Sequence, residues 1–211
     1  MASIQARPAR IPTDPYNKSM GAFPQPKVSV DEYFRMDRVS EVPLEFHDGD
    51  VFPISSVSFA HGVIAANLSR ALGNRLTGIP CRTLIQVRVR ASASNYVRPD
   101  VAVVCGEPQL TDSSRETLVN PKIVFEILSP STADYDYGGK FALYRKVRSI
   151  EEYVLISQYV PVVEIFRRQP DESWTLHSID KLDGSVELGS LQITLPLAEI
   201  YQGLTLNEPS E

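Results

Sequence analysis

The chain has 211 residues, 43% hydrophobic and 22% charged, which is enough apolar side chain to bury the core of a single domain. Its net charge of −5 and isoelectric point near 5.3 exclude sequence-blind attraction to nucleic acid over the whole surface, although a localised basic patch is compatible with them. No run of about 18 apolar residues supports a membrane span. Met1 to Gln25 has no apolar stretch of the kind a secretory signal needs, so the cytoplasm is the expected compartment.

Pro8, Pro12, Pro15, Pro24 and Pro26 cluster ahead of Val28 and predict an extended arm over residues 1–27. One folded domain is expected over 28–205, followed by a polar tail at 206–211. Ser29 with Glu32 three positions on is a capping box that starts a short helix running to about Arg38. Asp48-Gly49 between apolar-rich arms, from Leu44 to Phe52, predicts a hairpin. A helix follows from about Ser58 to Leu76, with Val63, Ile64, Leu68, Ala71, Leu72 and Leu76 on one face, and Gly78 and Pro80 end it.

Leu84 to Arg90 alternates, so one strand is expected with Ile85, Val87 and Val89 inward and Gln86, Arg88 and Arg90 on a wet face. Val97 to Val104 and Ile123 to Leu128 read as core strands separated by a polar loop around Thr111 to Glu116. After Pro130 a helix is predicted from about Tyr135 to Val147. Then come a strand pair, Glu152 to Ser157 with Val162 to Phe166, and a last hairpin of Trp174 to Ile179 with Val186 to Leu188. Helices interspersed among strands describe an α/β or α+β arrangement around a mixed sheet. Cys81 and Cys105 match no zinc-ligand spacing and are expected to act as small buried apolar residues rather than as a disulfide.

The chemistry lies in two acids that interrupt the core strands: Asp100 in Arg98-Pro-Asp-Val, and Glu126 in Val124-Phe-Glu-Ile-Leu128. A carboxylate in such a run loses hydration, and one divalent cation compensates two of them at once. Glu126 shares side-chain parity with Val124 and Leu128, while Ile123, Phe125 and Ile127 face the other way. Asp136, Lys140 and Tyr144 share a helical face, so Lys140 either reaches the two carboxylates or makes a surface ion pair with Asp136. Glu45 is a further candidate metal ligand from the hairpin. Gln86, His61 and Tyr144 are candidate accessory residues, with His61 equally suited to capping or packing. Arg88, Arg90 and Arg98 are candidate phosphate contacts or members of a solvated face.

These motifs, Arg98-Pro-Asp-Val, Phe125-Glu-Ile-Leu-Ser-Pro-Ser-Thr132, then Asp136, Lys140, Tyr144 and Glu152-Tyr153, together resemble the Uma-two family of the PD-(D/E)XK restriction-endonuclease-like superfamily. The likeness runs from about Val28 to Thr205 and takes in Glu45, Asp48-Gly49 and His61. It implies a restriction-endonuclease-like mixed β-sheet flanked by helices, with an extra N-terminal helix and hairpin. It also implies magnesium or manganese on Asp100 and Glu126, DNA as partner, and hydrolysis of phosphodiester bonds. The superfamily's lysine is expected two positions after the glutamate, where this chain has Leu128, and the resemblance implies that Lys140 from the following helix replaces it. Ser157 stands where relatives often carry an aspartate. A homodimer is expected for an enzyme that cuts both strands. The alternative is a catalytically inactive nuclease fold that binds nucleic acid or protein.

Overall fold

A computed structural model describes residues 26–54, 57–111, 116–130 and 132–206. The predicted arm before Pro26, most of the Thr111 to Glu116 loop and the tail from Asn207 lie outside the described residues. The chain divides into two compact units, 1–55 and 56–211.

In the first unit, helix α1 (Val30–Val39) opens on Ser29, whose hydroxyl accepts the Glu32 amide at 3.2 Å as the capping box requires. Strands β1 (Leu44–His47) and β2 (Asp50–Pro53) pair antiparallel through a two-residue turn. Asp48 and Gly49 both take positive φ there, 47° and 93°, the conformation an Asp-Gly hairpin turn is selected for. The buried Tyr33 ring stacks on Phe46, and its hydroxyl donates to the Leu44 carbonyl at 3.0 Å, fixing helix to hairpin.

The second unit begins with α2 (Phe59–Arg75), capped by Ser58 and closed at Leu76 as its periodicity predicts. Two strands follow where one was expected: β3 (Cys81–Ile85) and β4 (Arg88–Ser92). The next predicted strand is likewise two, β5 (Asn95–Val97) and β6 (Val101–Cys105). Ile85 pairs with Val101 and Val89 with Val97, so one antiparallel register runs through both interruptions and sets Gln86 opposite Asp100. The break has two local causes. Pro99 has no amide to give a ladder, and Gln86 adopts φ +48° while its amide donates to the Asp100 carbonyl at 3.1 Å. The expected wet face is therefore corrected: Arg88 is only 2% exposed, whereas Ile85 is 62% exposed.

After β7 (Thr117–Leu118), parallel to β4, comes β8 (Ile123–Leu128), in the predicted place. The predicted central helix is α3 (Ala133–Tyr135), a π-helical segment (Asp136–Lys140) and α4 (Phe141–Tyr144). Gly138 and Gly139 remove side-chain support for regular α geometry within that segment. Strands β9 (Glu152–Ser157), β10 (Val163–Arg168) and β11 (Trp174–Ile179) form an antiparallel run. Trp174–Ile179 thus pairs with β10. The predicted hairpin with Val186 to Leu188 does not form, because β12 (Ser185–Leu188) turns back on β13 (Ile193–Pro196) ahead of α5 (Leu197–Ile200).

The main sheet runs β11-β10-β9-β8-β6-β3, mixed through its one parallel pair, β8 with β9. Ile123, Phe125 and Ile127 of β8 pack with Ile64, Leu68 and Leu72 of α2 on one face. Val124 packs with Tyr144, Val147, Ile150 and Tyr153 on the other. The fold is α+β, built on mixed sheet with few helices, as expected.

Cys81 and Cys105 face each other in the β3–β6 register and form a disulfide, which overturns the reading of two separate buried thiols. The 24-residue separation hid a direct cross-strand pair. No described helix is long and apolar enough to cross a membrane.

Candidate active site

Glu126 lies in the middle of β8 and is 2% exposed. Its ladder partners are fixed by apolar neighbours on the α2 side, which leaves its own side chain on the face of α4. There the Tyr144 hydroxyl donates to Glu126 Oε1 at 2.9 Å, and Lys140 Nζ stands 3.2 Å from the same oxygen. Lys140 also lies 3.5 Å from Asp136 Oδ1. Both acids are buried, so the pair that sequence spacing allowed as a surface contact is an internal one. One lysine between two buried carboxylates offsets part of their mutual repulsion. Tyr153 closes this pocket of charge. Burial, and next the negative charge of Glu126 and of Asp136, hold its phenol well above the ordinary tyrosine range, and its hydroxyl donates to the Asp136 carbonyl at 2.9 Å.

Asp100 belongs to the neighbouring strand. Val101 pairs with Phe125, so the β6–β8 register continued by one residue sets Asp100 across from Glu126. Directly opposed residues share a face. The Asp100 carboxylate accepts the Ile127 amide at 2.8 Å through Oδ2, and His61 Nε2 lies 3.0 Å from that same oxygen. Oδ1 takes no hydrogen bond from a described residue. His61 is positioned by its own amide, which donates to the Ser58 cap at 3.1 Å, and its buried Nδ1 has no partner.

Of the other sequence candidates in the second unit, Gln86 adjoins Asp100 through its backbone and the arginines are engaged with the fold. Gln86 sits at the strand break, with its carbonyl accepting from Arg98 at 3.1 Å. Arg88 is held inside the protein by Thr117 Oγ1 at 2.7 Å and Glu116 at 3.2 Å, and Arg90 bonds the Ser92 carbonyl and Thr111. Their guanidinium groups already serve the fold. Glu45 lies on β1 in the first unit, buried, 3.4 Å from His47 Nε2. Asp136, which sequence reasoning took only as a partner for Lys140, joins the buried acids; the signal for it was the shared helical face.

Hard cations such as magnesium bind through one or two carboxylates and fill their other positions with water. The donor set fits such an ion: Asp100 commits one oxygen to the protein and leaves the other available, and Glu126 stands opposite it in register. Among the described residues no group of three or more His, Cys, Asp and Glu side chains forms a closed metal cage.

A mixed sheet flanked by few helices, as in this chain, is consistent with a restriction-endonuclease-like fold. A protein titled a "putative nuclease belonging to DUF820", from Anabaena variabilis, superposes with a TM-score of 0.69 at 17% identity, covering 82% of this chain and 97% of that one. Residues 30–198 match the Uma2 family, described as "Putative restriction endonuclease", and the chain belongs to that family. Two Synechocystis relatives, both named only as uncharacterized proteins, are similar over most of their length. The first, slr1290, is 31% identical over 86% of this chain and 95% of its own. The second, sll1609, is 30% identical over 77% of this chain and 93% of its own.

Proposed function

We propose that the chain is a metal-dependent endonuclease that hydrolyses phosphodiester bonds in DNA. The observation that carries this reading is the Lys140 ammonium held 3.2 Å from buried Glu126, with Asp100 opposite that glutamate in the strand register. Magnesium or manganese held by Asp100 and Glu126 would supply polarisation of the scissile phosphate and a water of lowered pKa. Lys140 sets a fixed positive charge where negative charge builds on the phosphate oxygens. Tyr144 holds Glu126, and His61 with the Ile127 amide holds Asp100, so both carboxylates are oriented before substrate arrives. Asp136 holds Lys140 in place from a second side. Glu45, in the other unit, is not required by this two-carboxylate site.

The competing reading is a catalytically inactive nuclease fold that binds nucleic acid or protein. It draws on Lys140 being occupied by two acids already. Supercoiled plasmid incubated with the purified chain and magnesium or manganese separates the two. Nicking or linearisation that disappears in Asp100→Ala supports the nuclease. Cleavage undiminished in Asp100→Ala would sink the site, and a gel shift without cleavage by the wild-type chain would give the binding module.

A further inference from the structure

The cations chosen from sequence as phosphate contacts are engaged inside the protein, which raises the question of which cations are not. Among the described residues, Arg145, Lys146 and Arg148 are exposed, and none makes a side-chain hydrogen bond or ion pair within the chain. Every other described lysine and arginine except Lys181 has such a partner. Three free positive charges therefore fall within one turn, on a protein whose net charge is −5.

Basic residues after a helix are ordinarily accounted for by the helix C-terminus, whose carbonyls attract positive charge. Here the C-cap carbonyl of α4, that of Arg145, is already taken by another residue, which also binds two carbonyls beyond the helix. Arg168 of β10 donates to the carbonyls of Arg145, Val147 and Ile150 at 2.8, 3.0 and 2.8 Å, while its guanidinium stacks on Trp174. The nearby acids are also spoken for: Glu151 pairs with Lys122 and Glu172 with Arg168. Among the described residues, no side chain pairs with the three charges.

Their place gives them a use. They follow directly on Tyr144, whose hydroxyl touches Glu126, and at about 1.5 Å per helical residue Arg145 is roughly 7–8 Å along the helix from Lys140. Phosphates of one DNA strand rise about 3.4 Å per nucleotide, so this offset spans roughly two nucleotide steps.

We propose that Arg145, Lys146 and Arg148 form a clamp for the phosphate backbone of duplex DNA, holding the strand beside the Glu126–Lys140 site. The clamp rests on the nuclease reading for its substrate but not for its test. Phosphate contacts set register and affinity without reading bases, so the clamp contributes sequence-independent binding.

The test measures affinity for a duplex oligonucleotide against salt, with chelator present so that no strand is cut. Each neutralised phosphate contributes about 0.9 to the slope of log affinity on log salt. The triple variant Arg145→Ala, Lys146→Ala, Arg148→Ala is expected to lower that slope by about two to three and to weaken binding about tenfold or more at 0.1 M salt. The charge-keeping Arg145→Lys, Arg148→Lys variant retains the slope, and Lys181→Ala leaves it unchanged. Circular dichroism of these exposed substitutions reports folding directly. A triple variant with wild-type slope and affinity would overturn the clamp, as would an equal loss in Lys181→Ala or binding confined to anionic lipid vesicles. A chain that cleaves plasmid but fails this test remains a nuclease without the clamp. Conversely, cleavage unaffected by Asp100→Ala removes the site and leaves the salt slope to judge the clamp alone.

Discussion

Two buried glutamates on adjoining parallel strands, Glu126 of β8 and Glu152 of β9, solve the same electrostatic problem in different ways. Glu152 is fully buried and saturated: Arg167 donates at 2.9 Å and the Gly189 amide at 3.0 Å to one oxygen, and the Ser190 hydroxyl donates at 2.7 Å to the other. Its donors come from β10 and from the turn between β12 and β13, so it staples those elements to the sheet. Glu126 faces a lysine shared with a second buried acid, a tyrosine, and a third carboxylate opposite it in register. Burial of charge does not by itself mark a site. What distinguishes Glu126 is that its lysine is shared with a second buried acid and that another carboxylate stands opposite it in register.

That contrast can be broken most sharply by substituting each acid. Glu152→Ala takes the acceptor from the Arg167 guanidinium, the Gly189 amide and the Ser190 hydroxyl at once and should cost about 3 kcal/mol in urea unfolding. Magnesium binding to the folded fraction should be unchanged in calorimetry. Glu126→Gln should do the reverse, losing metal binding and cleavage while its effect on unfolding stays well below that of Glu152→Ala. Equal stability losses with metal binding intact in both would make Glu126 a second staple.

A smaller effect is expected one layer out. Tyr144→Phe removes the hydroxyl that orients Glu126 and should weaken metal binding about 10-fold to 100-fold. The matching change at the staple, Ser190→Ala, should cost about 1 kcal/mol of stability and leave metal affinity alone.

The smallest difference lies away from both glutamates. Arg75 of α2 grips Glu199 of α5 through two 2.8 Å contacts, and this hydrogen bonding, followed by Coulombic attraction, holds the Glu199 carboxyl below its ordinary value of 4.5. A lowered folded-state pKa stabilises the fold above the ordinary value, and the increment disappears as pH falls through the lowered one. Urea midpoints should therefore drop slightly more below about pH 4.5 in the wild type than in Arg75→Ala, with the size limited by the exposure of the pair.

Much of the site could be read from local pattern. The parity of Val124, Glu126 and Leu128 put the glutamate on one face, and the spacing of Asp136, Lys140 and Tyr144 put them on another that meets it. The capping box at Ser29 and the Asp48-Gly49 turn are likewise properties of a few adjoining residues. What escaped depends on distant partners. Alternation continues unbroken through Gln86, so only the pairing of that residue with Asp100 reveals the end of a strand. Arg88 looks solvated until Glu116 and Thr117 come back across it. The cysteines look unrelated until β3 lies against β6, and Trp174 to Ile179 had two apolar neighbours to choose between.

The doubly interrupted ribbon from Cys81 to Cys105 has a consequence for how this protein can change. A covalent bond clamps it at the open end and a tight reversal at Ser92 to Asn95 closes the other, so the phase of the two arms cannot drift. Sliding one arm by a single step would present Pro99 or Val101 where Asp100 now stands. Lengthening the reversal should therefore be tolerated, whereas inserting one residue between Cys81 and Gln86 should misplace the acid even if the sheet still forms.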